Sequence, residues 1–430
     1  MKRRVVITGM GICAPNGIGL SAFRRAMFQG VSGLRHLPEL EALGFRCQVG
    51  GLPQVSEEHL NKYFTKIDLR GLLSTGLIYG TLAGMEAWAD AELPLADPEN
   101  PDWDSGIIFG TSILGVDKFR ESMLKIDAGN VRRLGSTAVP QTMSSGISAF
   151  LGGKIGCGNQ VSSNSSACST GTEAILMGMD RIQSGKAERM LAGSCGDSGP
   201  YVWGGFDAMR VVPSTFNQTP ERASRPLSAT ASGFVPSSGA GALVLESLDS
   251  ALKRNAPIYA EVLGGATNCG GQRSGGSMTA SNGKAVQRCI SDALKIAGVA
   301  SGEVDVINGH LTATSRDSEE VLNWTEALGL KGAEFPYLNS FKDVLGHGLS
   351  ASGSMECVAA VLQFAENKII GNRNAKDLHR EISRLIDPEK VPTENVQVAP
   401  NVIAKASLGF GDVNACVIFK RFDRDSHEKH

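Results

Sequence analysis

The chain has 430 residues, a formal charge of −2 at neutral pH, 42% hydrophobic residues and 20% charged residues. This balance is typical of a globular protein with a sizeable core, and it excludes a disordered or low-complexity chain. The near-zero charge offers no basic surface for nucleic acid or anionic lipid, and no run approaches the roughly 18 apolar residues that span a bilayer. We therefore expect no nucleic-acid partner and no membrane insertion.

The nine cysteines are an odd number, and the sequence contains no C-x-x-C pair. A zinc ribbon or a disulfide framework is therefore not expected, whereas a reducing compartment fits the pattern. The apolar run near the start is interrupted by Thr8, Gly9 and Gly11, which favours a buried first strand over a signal peptide. These observations predict a cytoplasmic protein.

Strand-like apolar runs recur along the chain, and most of them end in glycine or a polar residue. Helical patterns lie between several of them, which predicts an α/β architecture with largely parallel sheets. Several runs are continuously apolar, which indicates burial on both faces. In chain order the predicted strands are Val5–Thr8, Gly106–Gly110, Met190–Gly193, Ala242–Glu246, Tyr259–Leu263, Val304–Asn308 and Asn414–Arg421.

Two stretches of the chain resemble each other. Residues 165–173 and residues 346–356 each combine a small-residue turn with the start of a helix that has one apolar face. A predicted strand also stands near the start of each half. We therefore predict two similar halves that join near residues 247–258, one spanning residues 1–250 and the other residues 251–430.

Cys168 comes directly before a predicted helix, Thr170–Ile182, and has small neighbours on both sides. A thiol at a helix N-terminus meets unpaired N–H groups and the positive end of the helix dipole, which both favour the nucleophilic thiolate. The alternative is that Cys168 is a buried small hydrophobe, as most cysteines are. The helix-start context leaves both interpretations open.

Two histidines stand at predicted element junctions. His310 follows the strand Val304–Asn308, and the carboxyl ends of strands are where ligands bind in open α/β sheets. His347 lies between glycines, with Lys342 five residues upstream. A single histidine in such a place is more often a capping or hydrogen-bonding residue than a catalyst. Two of them at comparable positions favour a functional interpretation.

Residues 407–415 precede the last predicted strand and are rich in glycine around Phe410. They predict either a hairpin turn with Phe410 packed in the core, or a mobile loop that places this ring over a pocket. The sequence has no P-loop, no G-x-S-x-G elbow and no H-E-x-x-H motif. The glycines after the first strand lack the third glycine of a dinucleotide-binding fingerprint and end in Pro15.

In this order, the segments resemble the elongating β-ketoacyl-acyl-carrier-protein synthases, the synthase I/II group of the thiolase superfamily. The resemblance covers almost the whole chain. The nucleophile motif is Ser166-Ala-Cys168-Ser-Thr-Gly, the first histidine motif is Asn308-Gly-His310-Leu-Thr-Ala-Thr, and the second is Lys342-Asp-Val-Leu-Gly-His347-Gly-Leu-Ser-Ala-Ser-Gly. This Cys-His-His set separates the group from thiolases (Cys-His-Cys) and from initiating synthases (Cys-His-Asn).

The resemblance implies a thiolase-like five-layer αβαβα fold of two similar halves, usually a homodimer. It implies that Cys168 accepts an acyl group from a carrier-protein thioester, with the backbone N–H groups of Cys168 and Phe410 as the oxyanion hole. His310 and His347, in their neutral forms, would stabilise the enolate that forms when malonyl-acyl-carrier protein loses carbon dioxide. The enolate would attack the acyl group and give a β-ketoacyl product.

The resemblance also implies supporting roles for further residues. No metal and no organic cofactor is expected, because the phosphopantetheine belongs to the acyl carrier protein. The implied roles are tuning of the local field by Lys342, organisation of the site by Glu320, hydrogen bonds to the pantetheine arm from Thr312 and Thr314, lining of the acyl pocket by Ile113 and Phe206, and gating by Phe410.

The sequence departs from the family pattern at several points, none of which removes a catalytic group. Leu311 stands where the family usually has glycine, and one residue is missing between Thr314 and Asp317. Asp412 replaces the last glycine of the gating loop, which should stiffen that loop. Leu227 begins a stretch of small residues in place of an acidic one. These departures leave open ordinary fatty-acid elongation and a specialised polyketide, polyene or lipid pathway.

Two other functions are considered. The chain could be a non-catalytic, chain-length-determining partner subunit of a ketosynthase heterodimer, but such partners typically lack the cysteine. It could be a thiolase, which needs a second reactive cysteine near the carboxyl end. Cys416 is the candidate there, but it falls within the last predicted strand, where a core position is expected.

Overall fold

The structure is a computed structural model that describes residues 2–97, 99–271, 278–279 and 281–423. The strands within these ranges are β1 Val5–Ala14, β2 Gly17–Ile18, β3 Leu34–His36, β4 Val49–Gly51, β5 Ser105–Gly110, β6 Val161–Ser162, β7 Arg189–Gly196, β8 Gly239–Ser247, β9 Ala260–Cys269, β10 Val306–Asn308, β11 Tyr337–Asn339, β12 Val402–Gly409 and β13 Val413–Arg421. The helices are α1 Leu20–Gln29, α2 Pro38–Ala42, α3 Glu57–Tyr63, α4 Thr75–Asp90, α5 Val116–Asp127, α6 Ala138–Thr142, α7 Gly146–Ile155, α8 Thr170–Gln183, α9 Pro200–Ala208, α10 Leu248–Lys253, α11 Gly283–Ala297, α12 Asp317–Leu328, α13 Lys342–Leu345, α14 Ser352–Glu366 and α15 Arg380–Leu385.

The strand order repeats within the molecule. The main sheet runs β6-β5-β7-β8-β1 and continues through β9-β13-β12-β10-β11, so that β1 and β9 meet at its centre. In each half the two outermost pairings are parallel, β6-β5 and β5-β7 in the first half and β11-β10 and β10-β12 in the second, whereas the inner pairings are antiparallel. The two halves therefore have the same topology, as predicted.

The expectation of largely parallel sheets is wrong. The sheet is mixed, because β7 and β8, β12 and β13, and both neighbours of β1 pair antiparallel. The prediction failed because continuous apolar runs report burial on both faces and not strand direction. All seven predicted strands occur, with ends that differ by a few residues.

Two central helices, α8 and α14, pack against each other between the two halves of the sheet. Their backbones approach so closely that a Cβ on Gly171 would lie 2.3 Å from the nitrogen of Ser354, and a Cβ on Gly353 would lie 2.7 Å from the nitrogen of Thr172. Glycine at both positions is therefore required for this crossing. The contact brings the N-terminal turns of both helices together.

Further helices cover the outer faces of the sheet. Helix α4 packs on β1, β7 and β8, and α11 packs on β9 and β13. Together with the central pair they form the five αβαβα layers of the thiolase-like fold. Within the described ranges, no helix combines the length and the apolar character that crossing a bilayer requires.

Candidate active site

Cys168 lies in a single 3-10 turn, Ala167–Ser169, that leads into α8. Ala167 has a φ of 50°, in the left-handed region, so the chain turns sharply before the helix begins. Thr170 fixes this turn, because its hydroxyl accepts the N–H of Ser166 at 2.9 Å and donates to the carbonyl of Ala167 at 2.6 Å. The turn places the Cys168 side chain at the wall of a cavity.

Both sequence-predicted histidines converge on Cys168. The thiol sulfur and one ring nitrogen of each of His310 and His347 all lie within 4.8 Å of one another. The two imidazoles are nearly perpendicular, with an interplanar angle of 81° and ring centroids 5.3 Å apart. One side chain comes from the first half of the chain and two from the second, so the site exists only in the folded molecule.

His347 is held in one orientation. Its Nδ1 accepts the backbone N–H of Leu349 at 3.3 Å, and the hydroxyl of Ser352 lies 2.8 Å from the same atom. In the neutral ring the proton must therefore be on Nε2, which is free to donate into the site. The sequence contained a signal for this support, since Leu349 and Ser352 follow the histidine within its own motif.

Buried carboxylates hold the loop that carries His310. Glu320 accepts the backbone N–H of His310 at 2.6 Å and that of Leu311 at 2.7 Å. Asp317 accepts the N–H of Thr312 at 3.0 Å and contacts three further backbone N–H groups. Burial raises the pKa of Glu320 to about 7 and that of Asp317 to about 6, although these hydrogen bonds act in the opposite direction. Asp317 was not singled out in the sequence.

Leu311 takes a backbone conformation that favours glycine. Its φ is 24°, and its side chain is buried. The N–H of Leu311 and that of His310 both donate to Glu320, and these two hydrogen bonds keep this geometry where the resemblance led us to expect glycine.

A buried ionic group lies beside the three reactive side chains. Lys342 forms an ion pair with one carboxylate oxygen of Glu356, and Lys405 contacts the other at 2.6 Å. All three side chains are at most 2% exposed. Sequence reasoning identified Lys342 but missed Glu356 and Lys405. The signal was there, because a charged residue inside an apolar strand or helix needs a buried partner.

Burial has opposite consequences for the histidines and for the thiol. It lowers the pKa of His310 and of His347 well below the usual value, and the positive charge of Lys342 adds to this effect. It raises the pKa of Cys168 to about 11, although Lys342 and nearby backbone N–H groups act in the opposite direction. In the resting site desolvation therefore acts against the thiolate that the helix start favours.

The cavity at Cys168 has a volume of about 430 Å³. Apart from the three reactive side chains, five of the predicted site residues line it, namely Phe206, Thr312, Thr314, Glu320 and Phe410. Lys342 is not among the described residues that line it. Ile113 is not brought into this cavity; it is 44% exposed at the surface. The structure therefore separates Ile113 from Phe206, with which the prediction grouped it.

The loop around Phe410 faces the thiol. The backbone N–H groups of Phe410 and of Cys168 both point toward the sulfur. The Phe410 ring lies 6.2 Å from that of Phe206, between ring centroids, and it lines the cavity. It is thus not a core plug. This arrangement offers two N–H donors where an oxyanion on a thioester carbon would form.

Cys416 is fully buried in β13, where burial raises the pKa of its thiol well above the usual value. It does not line the cavity at Cys168. A second reactive cysteine, which a thiolase requires, is therefore not found at this position.

Comparison with known families agrees with this geometry. The model of the beta-ketoacyl synthase N-terminal domain matches residues 2–251, and that of the C-terminal domain matches residues 259–376. This chain belongs to the beta-ketoacyl synthase family. That residues 1–250 and 251–430 each form a separate structural unit remains a prediction.

Individual members of the family resemble the chain over its full length. It is 32% identical over 428 residues to the chloroplastic 3-oxoacyl-[acyl-carrier-protein] synthase I of Arabidopsis thaliana, covering 98% of this chain and 87% of that protein. A beta-ketoacyl synthase from Burkholderia phymatum superposes with a TM-score of 0.88 at 25% identity. A ketosynthase complex with a type II polyketide acyl-carrier protein gives 0.85 at 27% identity. Both superpositions cover 98% of this chain and all of the other.

Proposed function

We propose that this synthase catalyses the decarboxylating condensation of an acyl group on Cys168 with malonyl-acyl-carrier protein, as part of fatty-acid or polyketide synthesis. The observation that carries the proposal is the convergence of Cys168, His310 and His347 within 4.8 Å of one another. The names of the relatives support the same acyltransferase chemistry.

In the first step the acyl group passes from the carrier thioester to Cys168. The sulfur attacks the carbonyl carbon, and the backbone N–H groups of Cys168 and Phe410 stabilise the oxyanion. Because the resting thiol is protonated, its proton must leave during the attack. This proton ends on the departing pantetheine sulfur, so the exchange is balanced.

In the second step a malonyl group enters the cavity. Its thioester oxygen accepts hydrogen bonds from the neutral rings of His310 and His347, which stabilise negative charge there. The bond to the carboxylate breaks, carbon dioxide leaves, and the electron pair forms an enolate. The enolate carbon attacks the acyl carbonyl, and the sulfur of Cys168 leaves as a thiolate, which takes up a proton from the solvent. Thr312 and Thr314 offer hydroxyls to the pantetheine arm along the cavity wall.

The carrier protein supplies the phosphopantetheine in this scheme, so the residues of the chain need no organic cofactor or metal. Two relatives are named for acyl-carrier-protein substrates, and one solved relative is in complex with such a carrier. The non-catalytic alternative is not favoured, because the reactive side chains are all present and brought together.

We also propose that the chain forms a dimer through the apolar surface of α5. Phe119, Met123, Leu124 and Ile126 are all exposed on this helix, and the spacing of Phe119, Met123 and Ile126 puts these three on one face, which favours an interface. A second copy of the chain is the proposed occupant, and it would also cover the exposed Ile113, which lies three residues before α5. Sedimentation of the Phe119→Asp variant, expected to be monomeric, tests this assembly.

The reaction itself is tested by mass spectrometry of the intact protein and by carbon dioxide release. Incubation with acyl-carrier proteins should add the acyl mass to the wild type and to Cys157→Ser, but not to Cys168→Ser. Subsequent malonyl-carrier protein should release carbon dioxide and give a β-ketoacyl carrier. An acylated Cys168→Ser variant, or a wild type that transfers no acyl group from any carrier, would contradict the proposal.

A further inference from the structure

Lys405 is a buried cation that the reaction described above does not use. It lies in the middle of β12, an otherwise uncharged strand, and its side chain is completely buried. A fully buried lysine is rare, because removal of an ammonium from water is costly and requires a buried partner. Its position therefore calls for an explanation.

The side-chain nitrogen of Lys405 is surrounded by hydrogen-bond acceptors. Its ammonium contacts a carboxylate oxygen of Glu356 at 2.6 Å, donates to the carbonyl of Ala406 and lies 3.1 Å from the hydroxyl of Ser407. These three contacts satisfy its three N–H bonds. The other oxygen of Glu356 is occupied by Lys342, so one carboxylate balances two ammonium groups. The group as a whole carries an excess positive charge.

Lys405 lies between the elements that carry the reactive side chains. In the register of β10 and β12 it is directly opposite Asn308, two residues before His310. The hydroxyl of Ser407 in the same strand lies 2.9 Å from that of Thr172 in α8, the helix that follows Cys168. The excess charge is therefore placed next to the strand that leads to His310 and next to the helix that follows Cys168, and not at the periphery.

We propose that Lys405 is a positioning residue, a second buried cation that shares Glu356 with Lys342 and keeps the imidazoles of His310 and His347 neutral. The proposal rests on the function proposed above. Neutral rings matter because an imidazolium beside the enolate would transfer its proton to the enolate carbon. That transfer forms a C–H bond in place of the new C–C bond, and the malonyl carrier ends as an acetyl carrier.

The charges that face the two rings support this role. Lys342 and Lys405 both act to lower the pKa of His310 and of His347, beyond the effect of burial. Among the described residues, the other titratable groups here are Cys168, whose thiol pKa is raised by burial, and the carboxyl of Glu320, which faces the backbone of His310. Loss of one ammonium would leave Glu356 balanced by Lys342 alone, and protonation of the rings would become easier.

The test measures how the product divides between β-ketoacyl carrier and acetyl carrier as the pH is lowered. Lys405→Met and Lys405→Gln both remove the charge, and the glutamine retains a hydrogen bond to Glu356. With acyl and malonyl carriers, both variants should raise the acetyl fraction several-fold at about pH 6 and much less at about pH 8. Lys405→Arg, which keeps the charge, should divide its products as the wild type does.

Glu246 offers a matched control outside the site. This fully buried carboxylate also lies between two cations, with Arg254 at 2.7 Å and Arg189 at 3.8 Å. Arg254→Met should lower the melting temperature without a change in product division. A uniform loss of activity at every pH in the two neutral Lys405 variants would overturn the proposal, as would an unchanged acetyl fraction. A wild type that releases no carbon dioxide would contradict the proposed function instead.

Discussion

The two halves of the molecule build the same turn at the start of their central helices but use it differently. In the first half the turn Ala167–Ser169 precedes α8, and in the second half the turn Leu349–Ser350–Ala351 precedes α14. Each turn begins with a residue in the left-handed region, Ala167 at 50° and Leu349 at 54°. By this correspondence Ser350 occupies the place of Cys168.

The surroundings of these two residues decide which of them can react. Cys168 faces the cavity, with two imidazoles within reach. Ser350 is fully buried, and its hydroxyl donates to the carbonyl of Cys195 at 2.8 Å. The second turn instead holds a histidine, since Leu349 and Ser352 contact Nδ1 of His347. One local fold therefore presents a nucleophile in one half and orients a proton donor in the other.

The largest expected effect comes from moving the thiol between the two turns. Cys168→Ser should reduce acyl-enzyme formation by about a thousandfold or more, because a hydroxyl is a far weaker nucleophile here. The double variant Cys168→Ser with Ser350→Cys should remain equally inactive, since the new thiol has no access to the cavity. Mass spectrometry after incubation with an acyl carrier measures both.

Ser350→Cys alone is the control, and it should still acquire an acyl group at Cys168. If the double variant were acylated at position 350, both turns would give their central residue access to the substrate cavity. The comparison between the halves would then be wrong.

Much of this arrangement could be predicted from the sequence. The strands, the two halves and the convergence of Cys168, His310 and His347 followed from apolar runs, turn residues and a motif resemblance. The direction of the strands could not be predicted, because strands in parallel and in antiparallel pairings can both be buried on two faces. The raised pKa of the Cys168 thiol could not be predicted either, because it depends on desolvation in the folded site, to which segments distant in sequence contribute.

Glu356 and Lys405 could not be identified from the sequence, and the physical reason is the same for both. Glu356 and Lys405 lie far apart in sequence, and each looks anomalous in its own apolar element. Only the packing of α14 against β12 shows that one compensates the other. Ile113 shows the reverse case, because a residue can belong to a family motif and still lie away from the cavity of a single chain.

Zinc binding tests how closely the halves bring their reactive groups together. A thiolate and two neutral imidazoles within 4.8 Å are a suitable set of three ligands for Zn²⁺, with water in the fourth position. We expect Zn²⁺ to inhibit acyl transfer and to raise the melting temperature. A chelator should reverse both effects. Mg²⁺, which prefers oxygen ligands, should do neither. An equal thermal shift in Cys168→Ser would place the zinc elsewhere.

The connections that lead into the last strand of each half also differ. In the first half β7 and β8 are joined by residues 197–238, whereas in the second only Phe410, Gly411 and Asp412 separate β12 from β13. Asp412 has a φ of 61°, its carbonyl accepts the N–H of Gly270 at 2.9 Å, and its side chain accepts the N–H of Asn282 at 3.0 Å. The short turn is thereby tied to a neighbouring segment.

Asp412→Gly should loosen this turn. Glycine tolerates the left-handed conformation, but it removes the acceptor for the N–H of Asn282. The lost hydrogen bond should cost about 1 kcal/mol of local stability, so the amides of Phe410 and Gly411 should exchange several-fold faster. Hydrogen-exchange mass spectrometry measures this. Asp412→Asn keeps an acceptor and tolerates the same φ, so it should exchange as the wild type does. Equal exchange in all three proteins would show that the side chain does not restrain the turn.

The smallest expected effect concerns a contact that joins the halves at the surface. Asp377 accepts hydrogen bonds from Arg225 at 2.9 Å, Ser228 at 2.7 Å and Thr230 at 2.6 Å. Partial burial acts to raise the pKa of Asp377, but the hydrogen bonds and the positive charge of Arg225 lower it to about 2. Because the folded pKa lies below the unfolded one, this carboxylate stabilises the fold above about pH 4, and the stabilisation is lost toward about pH 2.

Asp377→Asn should therefore lower the free energy of unfolding slightly at neutral pH, and the difference from the wild type should shrink between about pH 4 and about pH 2. Denaturant titrations at several pH values measure this, with Asp249→Asn in α10 as the exposed control. The effect stays small because the side chain is 36% exposed and solvent screens its charge. If the difference in free energy of unfolding between the two proteins did not change with pH, the contribution of Asp377 would come from packing. The charge of Asp377 would then not stabilise the contact between the halves.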